Sequence, residues 1–140
     1  MLETIAYDTT CRAVNWEQLK RDLTADHFDN GRSPEQLQRS FEKSFAVVFA
    51  RDGDRIIGKG RGLSDGVCNA YIVDVWTHSD YRRRGIATTM MKTLLSKLDG
   101  QHVYLVTDDQ TEFYGTLGFK RQPEGMSMIV GAWLRAAHTE

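Results

Sequence analysis

Apolar residues at three- and four-residue spacing mark the first part of the chain as helical. Trp16, Leu19 and Leu23, extended by Phe28, fall on one face of a helix that begins after Asn15 and ends in the polar turn Asp29-Asn30-Gly31-Arg32. Ser33 then stands as an N-cap, Pro34 takes the first helical position and Gln36 completes a capping box. The second helix presents Leu37, Phe41 and Phe45 as its apolar face. Beyond it the pattern changes to that of strands. Phe45 to Ala50 is rich in Val and Phe, and Asp52-Gly53 predicts a hairpin before a strand from Arg55 to Leu63. A second turn at Ser64-Asp65-Gly66 leads into a long strand from about Val67 to Thr77.

After Tyr81-Arg82-Arg83-Arg84-Gly85 the helical period returns. Ile86, Ala87, Met90, Met91, Leu94, Leu95 and Leu98 share one face, Lys92 and Lys97 turn outward, and Asp99-Gly100 ends the helix. His102 to Thr107 predicts a strand buried between layers, Thr111 to Leu117 a short helix closed by Gly118, and Met126 to Trp133 a final strand. A strand, a helix and another strand form a crossover unit, which makes those two strands parallel. The expected fold is therefore α/β (α+β). A mixed, mostly antiparallel central sheet carries helices on both faces, in a single domain over residues 1–140.

Composition narrows the function. With 140 residues, 41% of them apolar and 26% charged, the chain has the make-up of an ordinary globular domain. A net charge of -1 argues against a protein that lives on nucleic acid or on an anionic membrane. The two cysteines, Cys11 and Cys68, have neither metal-ligand nor redox spacing, and no metal is expected. The N-terminus lacks a basic segment followed by an apolar run, and nothing approaches the roughly 20 apolar residues of a membrane span. The expected compartment is the cytoplasm.

The segment Arg82-Arg83-Arg84-Gly85-Ile86-Ala87-Thr88 lies where a long strand hands over to an amphipathic helix. The first backbone N–H groups of that helix have no internal partners, and the helix dipole is positive there. Gly85 lets the main chain approach a ligand closely, and Ala87 keeps the next turn small. These features suit a pyrophosphate, with each N–H to a charged phosphate contributing about 1.5–3 kcal/mol. Neither G-x-G-x-x-G nor G-x-x-x-x-G-K-[ST] is present. From spacing alone, a solvated arginine run and a small nucleic-acid patch remain open beside the pyrophosphate cradle.

At these residues the sequence resembles the GNAT superfamily of N-acetyltransferases. Arg82-Arg83-Arg84-Gly85-Ile86-Ala87 matches the family's [Q/R]-x-x-G-x-[G/A] signature, and Tyr71 to Tyr81 resembles the strand and turn before it. Downstream, Phe113-Tyr114-Gly115-Thr116-Leu117-Gly118-Phe119 resembles the family's F-Y-x-x-x-G-F motif. The resemblance implies acetyl-CoA as donor and a primary amine, on a small molecule or a peptide, as acceptor. It implies that the strand before the loop splays from its neighbour and that the pantetheine arm pairs with backbone at Val75, Trp76 and Thr77. The pyrophosphate then falls to the backbone from Arg83 to Thr88, through Arg84, Gly85, Ile86 and Ala87, with Arg82 and Arg84 as flanking charge. Tyr114 takes the place of the tyrosine that protonates the leaving thiolate. Thr107 stands where many members carry an asparagine that contacts the arm, and Ser79 where many carry proline. Homodimers are common in the family.

Direct transfer needs a neutral amine. A lysine-like amine of pKa ~10.4 is neutral at pH 7 only about once in 2,500 molecules, a cost of roughly 4.6 kcal/mol. Some group or water chain must take that proton, and the N–H of Val75 or a neighbour can polarise the thioester carbonyl as charge develops. Asp74, the only carboxylate inside the long strand, is a candidate base as well as a candidate structural ion-pair partner. His78, Asp108, Asp109 and Glu112 are further candidates. Trp76 and Trp133 are candidates for lining an acceptor pocket. Asp26 and Asp29, in the turn after the first helix, are candidates for holding a cationic amine. A non-catalytic acyl-CoA-binding or regulatory module on the same fold is the alternative to the enzyme.

Overall fold

The computed structural model of the protein describes residues 4–135. These form two compact units, the first ending at Val106 and the second opening at Thr107. The first holds β1 (Ala6–Asp8), α1 (Trp16–Ala25), α2 (Pro34–Glu42), β2 (Ala46–Asp52), β3 (Arg55–Ser64), β4 (Asn69–Thr77), α3 (Ile86–Ser96) and β5 (His102–Tyr104). The second holds α4 (Thr111–Thr116).

The five strands form one sheet in chain order, antiparallel from β1 through β4 and parallel between β4 and β5. The crossover expected from the sequence is thus present, with α3 as its helix. On one face, Leu19 and Leu23 of α1 and Leu37 and Phe41 of α2 pack with Val47, Phe49, Ile56 and Trp76 in a buried core. Asn15 caps α1, and Ser33 with Gln36 forms the capping box that starts α2. Phe45 falls beyond the end of α2 and stays about half exposed, and Phe28 likewise lies outside α1.

The other face takes α3, and glycines let it come close. An added Cβ at Gly58 would lie 3.0 Å from Met90 Sδ, and one at Gly60 3.2 Å from Leu94 Cδ1. Gly58 and Gly60 alternate with Lys59, so β3 is smooth toward α3 and turns Lys59 and Arg61 toward α1 and α2.

Three expectations need correction. The sequence pattern missed β1, whose three residues are too few to show a period. The strand expected over 102–107 is shorter than that and is not buried. It pairs only Asn69, Ala70 and Tyr71 of β4 with His102, Val103 and Tyr104, and Tyr104 stays 42% exposed. The final strand expected from Met126 to Trp133 does not form. A strand needs a paired neighbour, and residues 119–130 have no ladder partner among the described residues, with Met126 95% exposed.

Candidate functional site

The short β5 leaves its mark on β4. Their ladder ends at Tyr71, while β4 runs on to Thr77, so Ile72 to Thr77 have no ladder partner on that side among the described residues. The strand therefore separates from its parallel neighbour over the stretch that holds Val75, Trp76 and Thr77. The Thr77 hydroxyl, at the end of this stretch, is buried without a hydrogen-bond partner among the described residues.

From Thr77 the chain passes through a single turn at Ser79–Tyr81 into the arginine loop. Arg82 is held on both sides, its Nε donating to the Thr77 carbonyl at 3.0 Å and its Nη2 to Asp26 at 3.3 Å. Arg83 is exposed and adopts φ +66°, a left-handed conformation costly for a side-chain-bearing residue. Arg84 lies over the Tyr81 ring at 5.2 Å. Gly85 is the N-cap of α3 with φ +78°, and a Cβ there would meet nothing within 4 Å.

No side chain caps this helix. Its first turn-closing bond is Thr89 N–H to the Gly85 carbonyl at 3.1 Å. The N–H groups of Ile86, Ala87 and Thr88 precede that bond and have no place in the helical ladder. An open glycine, three early amides and a positive helix end meet here, an arrangement of the kind that suits an anion. Arg82 departs from the expectation, since part of its guanidinium is already used to fold the loop against the end of β4.

Asp74 sits at the one irregularity of β4. The register with β3 shifts between Lys59 and Arg61, which pair with Trp76 and Val73, so Asp74 and Val75 together face Gly60. This is a β-bulge, and Asp74 carries its left-handed residue, φ +66°. The Asp74 carboxylate is met by Arg32 Nη2 at 2.9 Å, Arg32 Nη1 at 3.2 Å and Arg61 Nε, with Lys59 Nζ at 3.7 Å. Burial on its own pulls its pKa upward, but Lys59, Arg32 and Arg61 outweigh it and hold the carboxyl well below the usual range. A carboxylate so saturated with cations has little basicity at neutral pH. The geometry makes Asp74 an ion-pair hub, the structural one of its two candidate roles.

Sequence reasoning missed Lys59. Its side chain is fully buried, with its ammonium 2.9 Å from the main-chain carbonyl of Asp74 and over the rings of Phe28 (5.1 Å) and Phe41 (5.5 Å). A signal was present. Lys59 and Arg61 alternate with glycines on one strand, which marks two cations on one face, although a regular hairpin count puts Gly60 opposite Asp74 and only the bulge brings the carboxylate to their side.

Asp26, Asp29, Trp76 and His78 are engaged in the fold of the first unit. Asp26 accepts from Trp76 Nε1 at 2.9 Å and from the Ser79 N–H at 3.1 Å, and Asp29 pairs with Lys20 and accepts from the Gly31 N–H. Each carboxylate makes these bonds through one oxygen, Oδ2 of Asp26 and Oδ1 of Asp29, and so each has a part in holding the turn. Trp76 is a core residue, 2% exposed. His78 is buried between Trp76 and Tyr81, with Nδ1 accepting from the Asp80 N–H at 3.0 Å.

In the second unit the Thr107 hydroxyl accepts from the Gln110 N–H at 3.0 Å and so shapes the turn into α4. Gly118, at φ +103°, turns the chain so that the Phe119 ring packs edge-on against Tyr114. Burial raises the Tyr114 pKa, which keeps its hydroxyl protonated at neutral pH. Trp133 is more than half exposed.

A glycine-led helix N-terminus following a strand that runs on beyond its parallel neighbour is the strand–helix junction of an α/β protein. The pattern of the acetyltransferase (GNAT) family matches residues 13–119, and the chain belongs to that family. It is 37% identical over 120 residues to histone acetyltransferase TAP1 of Glycine max, covering 83% of this chain and 51% of that protein. It is 34% identical over 127 residues to the chloroplastic GCN5-related N-acetyltransferase 2 of Arabidopsis thaliana, covering 83% of this chain and 49% of that one. The chain thus spans about half the length of these curated relatives. Among solved structures it superposes on a GNAT family acetyltransferase from Streptococcus pneumoniae TIGR4 with TM-score 0.75 and 25% identity, over 91% of this chain and 98% of that one.

Proposed function

We propose that this chain moves the acetyl group of acetyl-CoA directly to a primary amine. The observation that carries this reading is the α3 N-terminus, where an open Gly85 and three amides outside the helical ladder lie next to exposed arginine charge. The residues fit the cofactor. The loop amides from Arg83 to Thr88 would hold the pyrophosphate, the unpaired stretch of β4 at Val75, Trp76 and Thr77 would take the pantetheine arm, and the orphaned Thr77 hydroxyl gains a partner there. When bound, acetyl-CoA supplies an activated acyl group on a thiol leaving group. The chain's own part is to orient it, to aim the Val75 N–H at the carbonyl oxygen and to supply a proton from Tyr114. With Asp74 tied up, the amine's proton goes to solvent or to a water chain rather than to that carboxylate.

Thiol release from acetyl-CoA, followed with a panel of amines, tests this reading. The Glycine max relative bears the name histone acetyltransferase, so histone peptides belong in the panel beside small amines and amino acids. Release that depends on both chain and amine supports the enzyme. CoA binding without release under any amine would instead support a non-catalytic acyl-CoA-binding module.

A further inference from the structure

We propose that Lys59 is a positioning residue for acetyl transfer, polarising from inside the core the peptide group whose other end is the Val75 N–H. The proposal rests on the acetyl-transfer reading and extends it to a residue that does not itself touch substrate. A trans peptide is planar, and its C=O and N–H point in opposite directions. The Asp74 carbonyl points inward and accepts from Lys59 Nζ at 2.9 Å. The N–H of the same peptide, that of Val75, therefore points away from Lys59. A cation on the carbonyl draws electron density toward the oxygen and leaves the N–H a stronger donor, an effect that is largest in a low-dielectric interior. The bulge matters because it takes this one peptide out of the regular ladder.

The surroundings hold Lys59 in this duty. The charged groups facing it are Asp74 of β4, Arg61 of its own strand and Arg32 of the loop before α2, while α2 contributes the Phe41 ring and the α1–α2 loop the Phe28 ring. Burial lowers its pKa to about 8, with Asp74 pulling it up and the two arginines pushing it down. The ammonium is therefore charged in neutral solution and is lost through the mildly alkaline range.

Two measurements decide the matter. In isotopically labelled wild-type protein without ligand, the Asp74 carbonyl carbon and the Val75 amide resonances should move together as pH is raised through about 8. In Lys59→Met, which keeps the length and apolar stem of the side chain, they should not move. The second measurement is the ratio of wild-type to Lys59→Met kcat at saturating acetyl-CoA. That ratio should be about tenfold near neutral pH and approach unity above the titration, with CoA affinity unchanged within about twofold. Taking the ratio cancels ionisation of the acceptor. Resonances that do not titrate overturn the proposal whatever the kinetics show. Titrating resonances with equal kcat for the two proteins overturn the catalytic role. Absence of transfer by the wild type with every amine sinks the acetyl-transfer reading, and the resonance experiment then still decides whether Lys59 polarises the peptide.

Discussion

Arg32 and Asp74 form a two-pronged ion pair, at 2.9 and 3.2 Å, that ties the loop before α2 to the bulge of β4. The pair joins residues 42 positions apart, and both side chains are nearly buried. Asp74 is the single carboxylate offsetting Arg32, Arg61 and Lys59. Removing its charge strands three cations in the core. Asp74→Asn should therefore lower unfolding stability by about 3–5 kcal/mol, the usual cost of breaking a buried pair by removing one partner. The pH dependence gives a second check. The folded pKa is depressed, so the stabilisation is complete above the unfolded value of ~3.9 and is lost as pH falls below it. Urea titrations should show wild type losing its advantage over Asp74→Asn as the solution is acidified through this range. Equal stability of the two proteins at neutral pH would mean that the cluster is solvated.

Lys59 has the opposite sign. Its folded pKa of about 8 lies below the model-peptide value, so the unfolded chain binds the proton more tightly between the two. Stability should therefore rise with pH from about 8 toward ~10.4 in the wild type. Lys59→Met removes a buried charge while leaving Asp74 with two arginines, so it should be no less stable than wild type at neutral pH and flatter through the alkaline range. Thermal denaturation across that range measures both.

The loop makes a simpler prediction. Gly85→Glu places a negative charge where an anion is expected, in a position with room for a side chain. CoA affinity should fall at least tenfold, and the left-handed φ should cost about 1–2 kcal/mol of stability. Gly85→Ala carries the backbone cost without the charge and should bind more tightly than the Glu variant. Titration calorimetry with CoA separates the two effects. Equal affinity of wild type and Gly85→Glu would remove the loop from the binding site.

These cases show which parts were legible in the sequence. The Ser33-Pro34-Gln36 start, the α3 face and the Gly85 junction depend on residues a few positions apart, and each appears where the pattern predicts it. Ion pairs between distant residues leave no period. Asp74 stood out as a charge inside a strand, yet its partners come from the α1–α2 loop and from β3. The Met126 to Trp133 run has strand-like residues but no paired neighbour among the described residues, and residue preference cannot supply one.

Tyr114→Phe tests the proposed proton donor. The ring contacts with Phe113 and Phe119 survive the change, so folding should be little affected. Burial holds the hydroxyl protonated, and loss of a general acid typically costs 10²–10⁴ in rate, so kcat should drop about a hundredfold with KM for acetyl-CoA nearly unchanged. Wild-type turnover in this variant would mean that water protonates the thiolate.

Asp26 links three parts of the first unit: the C-terminal end of α1, the Trp76 indole of β4 and the loop arginine Arg82. Burial on its own raises its pKa, but the bonds from Ser79 and Trp76 and the charge of Arg82 prevail, and the carboxyl stays below its ordinary value. Such a group acts as an anchor. Asp26→Asn can keep its amide oxygen at the Oδ2 position, where all three donors meet, but loses the charge that faces Arg82. Hydrogen bonds to charged groups are worth about 1.5–3 kcal/mol, so stability should fall by an amount in that range. Arg82 also holds the Thr77 carbonyl, and loosening it should weaken CoA binding several-fold through the loop. The amine KM should not change. Urea unfolding, CoA titration and initial rates with the best amine together check the assignment. A raised amine KM in a variant of full stability and full CoA affinity would return Asp26 to the acceptor site.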